Sequence, residues 1–306
     1  MRVRASDYNR ARRSGRATAV SVRPAGTAVS GYQVPLGNRP DIRPVGVIGL
    51  STWSDPSTQT ETWVRVPRLS ANCPRRVVAY AGGRGDINRC MEFGDEFNGA
   101  VLDTTKWTAS GEGYVVAAGV ITITDAAGTQ RTLTSPVAFG PNTAVRVRKS
   151  ASIGTTGVSS ACYIQVGYSN GTAVALSDVY SDGGTTNKYD KLYTYKSSVT
   201  LSADGRYTSA FYTYDIIRNG TTSVVYKRDG ATVATNTTNV PTGALPLYSL
   251  TYKAATVTTA ISIIDWLVLR KYVPAEPLAG TAAPTATNRA LCRPMSHADT
   301  LRAVCA

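Results

Sequence analysis

Between Met91 and Tyr272 apolar side chains recur at every second position, in short runs parted by turn residues, and no stretch sustains a helical period. A two-residue period throws successive side chains to opposite faces, so this part of the chain must fold as β-strands. Val115–Asp125 alternates through Ile121 and Ile123. Thr143–Lys149 sets Val145 and Val147 to one side and Arg146 and Arg148 to the other. Further strands are predicted at Ala161–Tyr168, Lys188–Tyr195, Tyr207–Asn219, Ser223–Lys227, Thr232–Thr235, Leu247–Tyr252 and Ala260–Tyr272. Arg228-Asp229-Gly230-Ala231 is a hairpin signal, because Gly accepts a positive φ without steric cost. The fold class is all-β, a sandwich of two antiparallel sheets with a smaller β domain before it.

Four segments follow from composition. Residues 1–30 read as an irregular, arginine-rich arm. Residues 31–90 form a small β domain, with strand signals at Thr60–Pro67 and Arg76–Tyr80. Residues 91–275 make the sandwich, long enough to bury roughly 70% of its unfolded surface. Residues 276–306 are a Gly/Ala/Thr/Pro linker and a tail, with a short helix expected from near Ser296.

The net charge of +13 is concentrated at the front: residues 1–92 hold 15 Arg, no Lys and 6 acids. Arg2, Arg4, Arg10, Arg12, Arg13 and Arg16 make the arm a candidate anion-binding extension, for nucleic acid, a phosphate-bearing glycan or another acidic partner. The same charge also suits a solvated leader with no partner, and the two readings stand side by side. No window reaches the ~18 apolar residues of a membrane span, and no secretory signal peptide is recognisable. The five cysteines have no CxxC spacing, which disfavours a zinc site. Cys73 with Cys90, and Cys292 with Cys305, are candidate bridges if the surroundings are oxidising, and five reduced thiols are the other reading. Cys162 reads as a buried thiol.

The run Phe93-Gly-Asp-Glu-Phe-Asn-Gly-Ala-Val-Leu-Asp-Thr-Thr-Lys-Trp107 resembles the opening strand of the concanavalin A-like lectin/glucanase sandwiches, including laminarinase-like hydrolases and LamG-like binding modules. Tyr214–Gly220, Tyr226–Gly230 and Ile264–Tyr272 are similar to that superfamily's central strand, hairpin and closing strand. Upstream, Gly31–Leu36, Thr62–Pro67 and Val77–Gly82 resemble an uncharacterised domain that precedes such sandwiches in prokaryotic surface proteins. The resemblance implies a jelly-roll of two curved antiparallel sheets. It does not choose among lectins, hydrolases and structural modules.

Retaining glycosidases of this superfamily place two carboxyl groups about 5 Å apart, commonly on a Glu-x-Asp-x-x-Glu strand. No such strand is present, and the only glutamates from Phe93 to Tyr272 are Glu96 and Glu112. Asp178 and Asp182 read as a solvated pair in a Gly/Ser-rich connection, and Asp190 and Asp215 stand alone in strands. The single histidine, His297, lies in the tail, where it makes a poor general base. The sequence therefore predicts no catalytic residues and no enzymatic activity.

Tyrosines crowd the middle strands. Tyr193 and Tyr195 share one strand face, as do Tyr212 and Tyr214, and these four are the candidate glycan-binding residues. The competing reading has the rings paving an amphipathic sheet or contacting a neighbouring subunit. The resemblance also implies a structural Ca²⁺ at Asp265, with oxygen ligands near Asp95 and Gly113–Tyr114; an aspartate paired with Lys or Arg is the alternative. Asn170-Gly-Thr, Asn219-Gly-Thr and Asn236-Thr-Thr read as turns before glycosylation acceptors.

The leading expectation is thus a non-catalytic, lectin-like module at a cell surface or outside the cell, whose partner is a glycan or cell-envelope polymer. The alternative is a self-assembling structural subunit of a virion or extracellular filament, a homo-oligomer or larger assembly. A degenerate glycoside hydrolase comes third.

Overall fold

The computed structural model describes residues 17–23, 29–35, 45–47, 51–54, 62–69, 75–81, 87–125, 129–154, 162–181, 188–196, 198–203, 208–254, 257, 259–272 and 278–280. The chain divides into two compact units, residues 1–92 with 274–306, and residues 93–273. In the first unit lie β1 (Ala17–Arg23), β2 (Val29–Pro35), β3 (Val45–Val47), β4 (Ser51–Ser54), β5 (Thr62–Leu69), β6 (Arg75–Ala81) and the short helix α1 (Ile87–Cys90).

The second unit contains β7 (Phe93–Asp95), β8 (Thr108–Ser110), β9 (Tyr114–Ala117), β10 (Val120–Thr124), β11 (Arg131–Phe139) and β12 (Thr143–Ile153). It continues through β13 (Cys162–Ser169), β14 (Val174–Ser181), β15 (Lys188–Tyr195), β16 (Val199–Ala203), β17 (Tyr212–Asn219) and β18 (Ser223–Arg228). It closes with β19 (Ala231–Asn236), β20 (Leu245–Lys253) and β21 (Ala260–Lys271), after which β22 (Leu278–Gly280) returns to the first unit.

The first unit is built of two sheets, ordered β22-β1-β6-β3 and β2-β5-β4. Strand β1 lies in the arm expected to be irregular, and β22 pairs with it from the segment expected to be linker. The six candidate anion-binding arginines of the arm, the tail cysteines and the helix expected near Ser296 fall outside the described residues.

The second unit is the all-β sandwich that the alternation implied, two antiparallel sheets face to face. Sheet one has the order β19-β18-β17-β12-β21-β10-β9, with β7 added against β21. Sheet two has the order β16-β15-β14-β13-β20-β11-β8. Their inner faces meet in a main core and a second, smaller cluster of Ala151, Ile153, Cys162, Ile164, Val179, Val257 and Ala260. Sheet one contributes Ile121, Val145, Val147, Ile216, Val224 and Leu267, and sheet two Leu133, Val166, Tyr168, Leu192 and Leu247. Each such side chain contributes roughly 1.5–3 kcal/mol when fully buried, so this layer carries the stability of the unit.

Turn chemistry sets the hairpins. Val115–Asp125, expected as one strand, is two, because Ala118 and Gly119 both take positive φ and fold Ala117 against Val120. The Arg228–Ala231 hairpin forms in the same way, with Asp229 and Gly230 at positive φ. Asn170 builds a turn as its sequence suggests, its side-chain oxygen accepting from the amides of Thr172 (3.0 Å) and Ala173 (2.8 Å).

The Phe93–Trp107 run closes on itself through Asp95. Its Oδ1 accepts the amide of Phe97 at 3.0 Å and its Oδ2 accepts the indole Nε1–H of Trp107 at 2.8 Å. Lys106 donates to the Gly94 carbonyl at 2.8 Å, and Phe93 sits edge-on to Trp107 with ring centroids 5.2 Å apart. The run thereby seats Phe97 and Trp107 in the core while β7 pairs with β21. Asp95→Ala would leave two buried donors without an acceptor, at about 1–3 kcal/mol each. Urea unfolding of this variant should show a loss of about 3 kcal/mol; a loss below about 1 kcal/mol would show that the clasp is not a main support of the sandwich.

Candidate functional site

Strands β13, β14 and β15 pair in unbroken register, so the partners of any residue follow by counting. Val166, Ala175 and Leu192 point inward to the core. The alternate positions then face outward: Tyr163 and Gln165 on β13, Leu176 and Asp178 on β14, Lys191, Tyr193 and Tyr195 on β15. Tyr248, Leu250 and Tyr252 of β20 continue the same face, opposite Gly167, Gln165 and Tyr163.

At the middle of this face is Asp178, 3% exposed. It is opposite Gln165 on one side and Lys191 on the other. The Gln165 side-chain amide donates to Asp178 Oδ2 at 3.1 Å and to the Tyr193 hydroxyl at 2.7 Å. Asp178 Oδ1 is buried and accepts no hydrogen bond. Burial raises the Asp178 carboxyl to about 6, against the lowering effects of the Gln165 hydrogen bond, the Lys149 charge, the Ile164 backbone amide and the Lys191 charge. Burial, the Asp178 charge and the neighbouring Tyr248 and Tyr163 push the Tyr193 phenol well up, so it stays protonated. The rings of Tyr163 and Tyr252 stack at 5.8 Å. Burial with charged neighbours makes Asp178 a candidate site residue; Asp125 is also raised by burial, beside Arg131 and Lys253.

This corrects the reading of Asp178 as half of a solvated turn pair. The strand around it is buried on both faces at Val174, Ala175, Leu176, Ser177 and Val179. A strand covered on both sides loses the apolar/polar alternation by which strands are read. The signal present in the sequence was an acid flanked by Val174, Leu176 and Val179. Asp182 and the side chain of Asp190 are outside the described residues.

The four candidate tyrosines do not come together. Tyr193 and Tyr195 are half-buried on the outward face of sheet two. Tyr212 and Tyr214 belong to β17 of sheet one, and both turn inward, their register partners being Lys149 and Val147. Tyr214 is 4% exposed and part of the core, so stacking against a sugar is closed to it. Its hydroxyl-tipped ring packs beneath the buried Lys149 ammonium, 4.9 Å from the centroid.

Asp265 forms an ion pair with Arg148. Asp95 is engaged by Phe97 and Trp107. Among the described residues no three His, Cys, Asp or Glu side chains gather into a metal site. Asp215 pairs with Arg146 at 3.9 Å. Among these residues, too, no helix is long and apolar enough to cross a membrane.

No family model matches the chain, and no curated protein does; the resemblance drawn for the first unit is without support. Solved structures similar to the chain cover about three-fifths of it and nearly all of their own length. A structure from work on endo-acting O-glycanases of human gut bacteria that initiate mucin breakdown has a TM-score of 0.47 at 14% identity, covering 60% of this chain and 100% of its own. The β-glucanase of Bacillus licheniformis gives 0.45 at 16% identity, covering 58% and 97%. A β-1,3-glucanase of Mycobacterium marinum gives 0.45 at 14% identity, covering 58% and 98%. These are glucanase-type jelly-rolls, and at such identities the likeness is one of fold. The expectation that the chain is no enzyme is withdrawn, because the solved structures it is similar to include glucanases by name.

Burial of the Asp178 charge predicts a pH signature. The unfolded carboxyl ionises near 3.8 and the folded one near 6, so the folded state holds the proton longer. Stability contributed by the neutral acid is therefore present below the unfolded value and lost as pH rises to about 6, roughly 3 kcal/mol in all. Asp178→Asn should raise the melting temperature at pH 7.5 and do so much less at pH 4. An equal effect at both values would rule out a buried, proton-retaining Asp178.

Proposed function

We propose that the protein engages glycan, at a cell surface or outside the cell, through the outward face of sheet two, with Asp178, Gln165 and Tyr193 at its centre. The observation that carries this reading is the set of half-buried tyrosines, Tyr163, Tyr193, Tyr195, Tyr248 and Tyr252, on one outward face of sheet two, with the Asp178 and Gln165 side chains buried beneath them. Sugars present apolar C–H faces and a fixed pattern of hydroxyls. Flat rings with polar tips suit the first, and a carboxyl beside a side-chain amide suits the second. Tyr163, Tyr193, Tyr195, Tyr248 and Tyr252 supply rings along β13, β15 and β20. Gly167 lies opposite Tyr248 and Leu176 in the register. Its φ of +151° and the Ala175 carbonyl, 2.3 Å from where a Cβ would stand, exclude any larger residue.

Among the described residues of this face Asp178 is the carboxylate; Leu176, its neighbour on the same side of the strand, is apolar. A glycosidase reaction by two acids needs a second carboxyl about 5 Å away. The test therefore reads retention and cleavage together. The full chain is applied to β-1,3-glucan, β-1,3-1,4-glucan and mucin O-glycans, with bound protein and released reducing ends both measured. Wild type should act on or be retained by at least one polymer. Asp178→Ala and Tyr193→Ala should lower that signal at least tenfold with unchanged circular dichroism, while Tyr212→Phe, on the inward face of sheet one, should keep it. No signal on any polymer, or an undiminished signal from Asp178→Ala, would overturn the reading.

A further inference from the structure

We infer that the folded chain carries a modification site at Asn98-Gly99, where the asparagine closes on its own backbone and deamidates, while the sandwich shields its two other Asn-Gly pairs, Asn170-Gly171 and Asn219-Gly220. This stands apart from the glycan reading and does not depend on it.

Asn followed by Gly favours this chemistry, because glycine has no side chain to hold its amide away from the Asn carboxamide. The Gly nitrogen gives its proton to a base in solution and bonds to the Asn Cγ. The Cγ–Nδ2 bond breaks, and Nδ2 leaves as ammonia with a proton drawn from water. Water then opens the cyclic imide at either carbonyl, giving aspartate or, with the chain routed through Cβ, isoaspartate. No redox partner takes part. The fold sets the rate through two requirements: the side-chain carbonyl must be free to turn, and the Gly amide must be free to approach it.

The three pairs meet these requirements unequally. Asn98 is exposed on the irregular stretch between β7 and β8, and its side chain makes one surface hydrogen bond, Nδ2 donating to Glu96 Oε2 at 2.9 Å. Among the described residues none donates to its Oδ1, and the Gly99 amide has no acceptor. Asn170 is also exposed, yet its Oδ1 accepts from the Thr172 amide (3.0 Å), the Thr172 hydroxyl (3.0 Å) and the Ala173 amide (2.8 Å). The Gly171 amide donates to Ser169 Oγ at 3.1 Å. Asn219 is half-buried at the end of β17, in register with Ser223, its Nδ2 donating to Ser223 Oγ at 3.3 Å and its carbonyl accepting the Thr222 hydroxyl at 2.9 Å. Each bond that must open before the ring closes slows closure by roughly two- to tenfold, so Asn170 should react at least about tenfold slower than Asn98. Position 98 also borders the clasp. Phe97, at φ +48°, is part of the core and donates its amide to Asp95. Isoaspartate at position 98 adds a backbone carbon directly after Phe97 and sets a second carboxylate beside Glu96, where an amide donor had been.

Peptide mass mapping of the full chain, aged in mildly alkaline buffer with and without guanidinium chloride, tests this. With the chain unfolded, the three pairs should deamidate at comparable rates. In the folded chain Asn98 should stay near its unfolded rate, while Asn170 falls at least about tenfold below it and Asn219 is also slowed. Protein bearing isoaspartate at position 98 should unfold at a lower urea concentration than fresh protein, and Asn98→Gln should abolish that drift with age. Folded-state deamidation of Asn170 or Asn219 as fast as that of Asn98, an unmodified Asn98, or an aged chain with an unchanged urea midpoint would overturn the inference.

Discussion

Strand parity is the constraint on which this molecule depends. A strand sends alternate side chains to opposite faces, so a register of antiparallel pairs decides which residues meet and which never can. Strands β13, β14 and β15 run in register without a bulge, and the consequence is a row of Gln165, Asp178 and Lys191 across three strands. A slip of one residue in β14 would turn Asp178 into the core and bring Ser177 outward. The core fixes the register from the other side. Val166, Ala175 and Leu192 are packed into the hydrophobic layer between the sheets, and their burial pins the polar row opposite.

Two kinds of buried charge follow from this packing, and they behave differently. Arg218 is fully buried, yet its guanidinium reaches three carbonyl oxygens, of Phe139, Pro241 and Gly243, at 2.6–3.1 Å. Its guanidinium also lies over the Tyr168 ring, 5.2 Å from the centroid. That is a structural charge: its two terminal nitrogens tie loops at one end of the sandwich, while its buried Nε has no hydrogen-bond partner. Asp178 is the opposite case, with one oxygen bonded and one empty.

Much of this could be read from residues alone. The strand period and the Asp229-Gly230 turn were visible, and the Phe93–Trp107 run pointed to the sandwich. Its Asp95–Trp107 clasp now explains why an acid and a tryptophan belong there. What could not be read was which face is which. Tyr193/Tyr195 and Tyr212/Tyr214 carry the same spacing, and tyrosine suits both a core and a surface, so nothing local separates the outward pair from the inward one. Asp178 was misjudged for a related reason. Its strand is buried on both sides, which erases the alternation, and it follows a Gly/Thr-rich turn that makes the whole segment look like a loop. The lack of a Glu-x-Asp-x-x-Glu strand did not warrant excluding catalysis.

The protonation of Asp178 joins the register, the packing and the proposed site in one quantity. Carbon-13 NMR of the ligand-free chain, following the Asp178 side-chain carboxyl through a pH titration, measures it directly. The structure predicts a midpoint at about 6. A midpoint near 3.8, where an ordinary aspartate titrates, would place this carboxyl in water and remove the basis of the account.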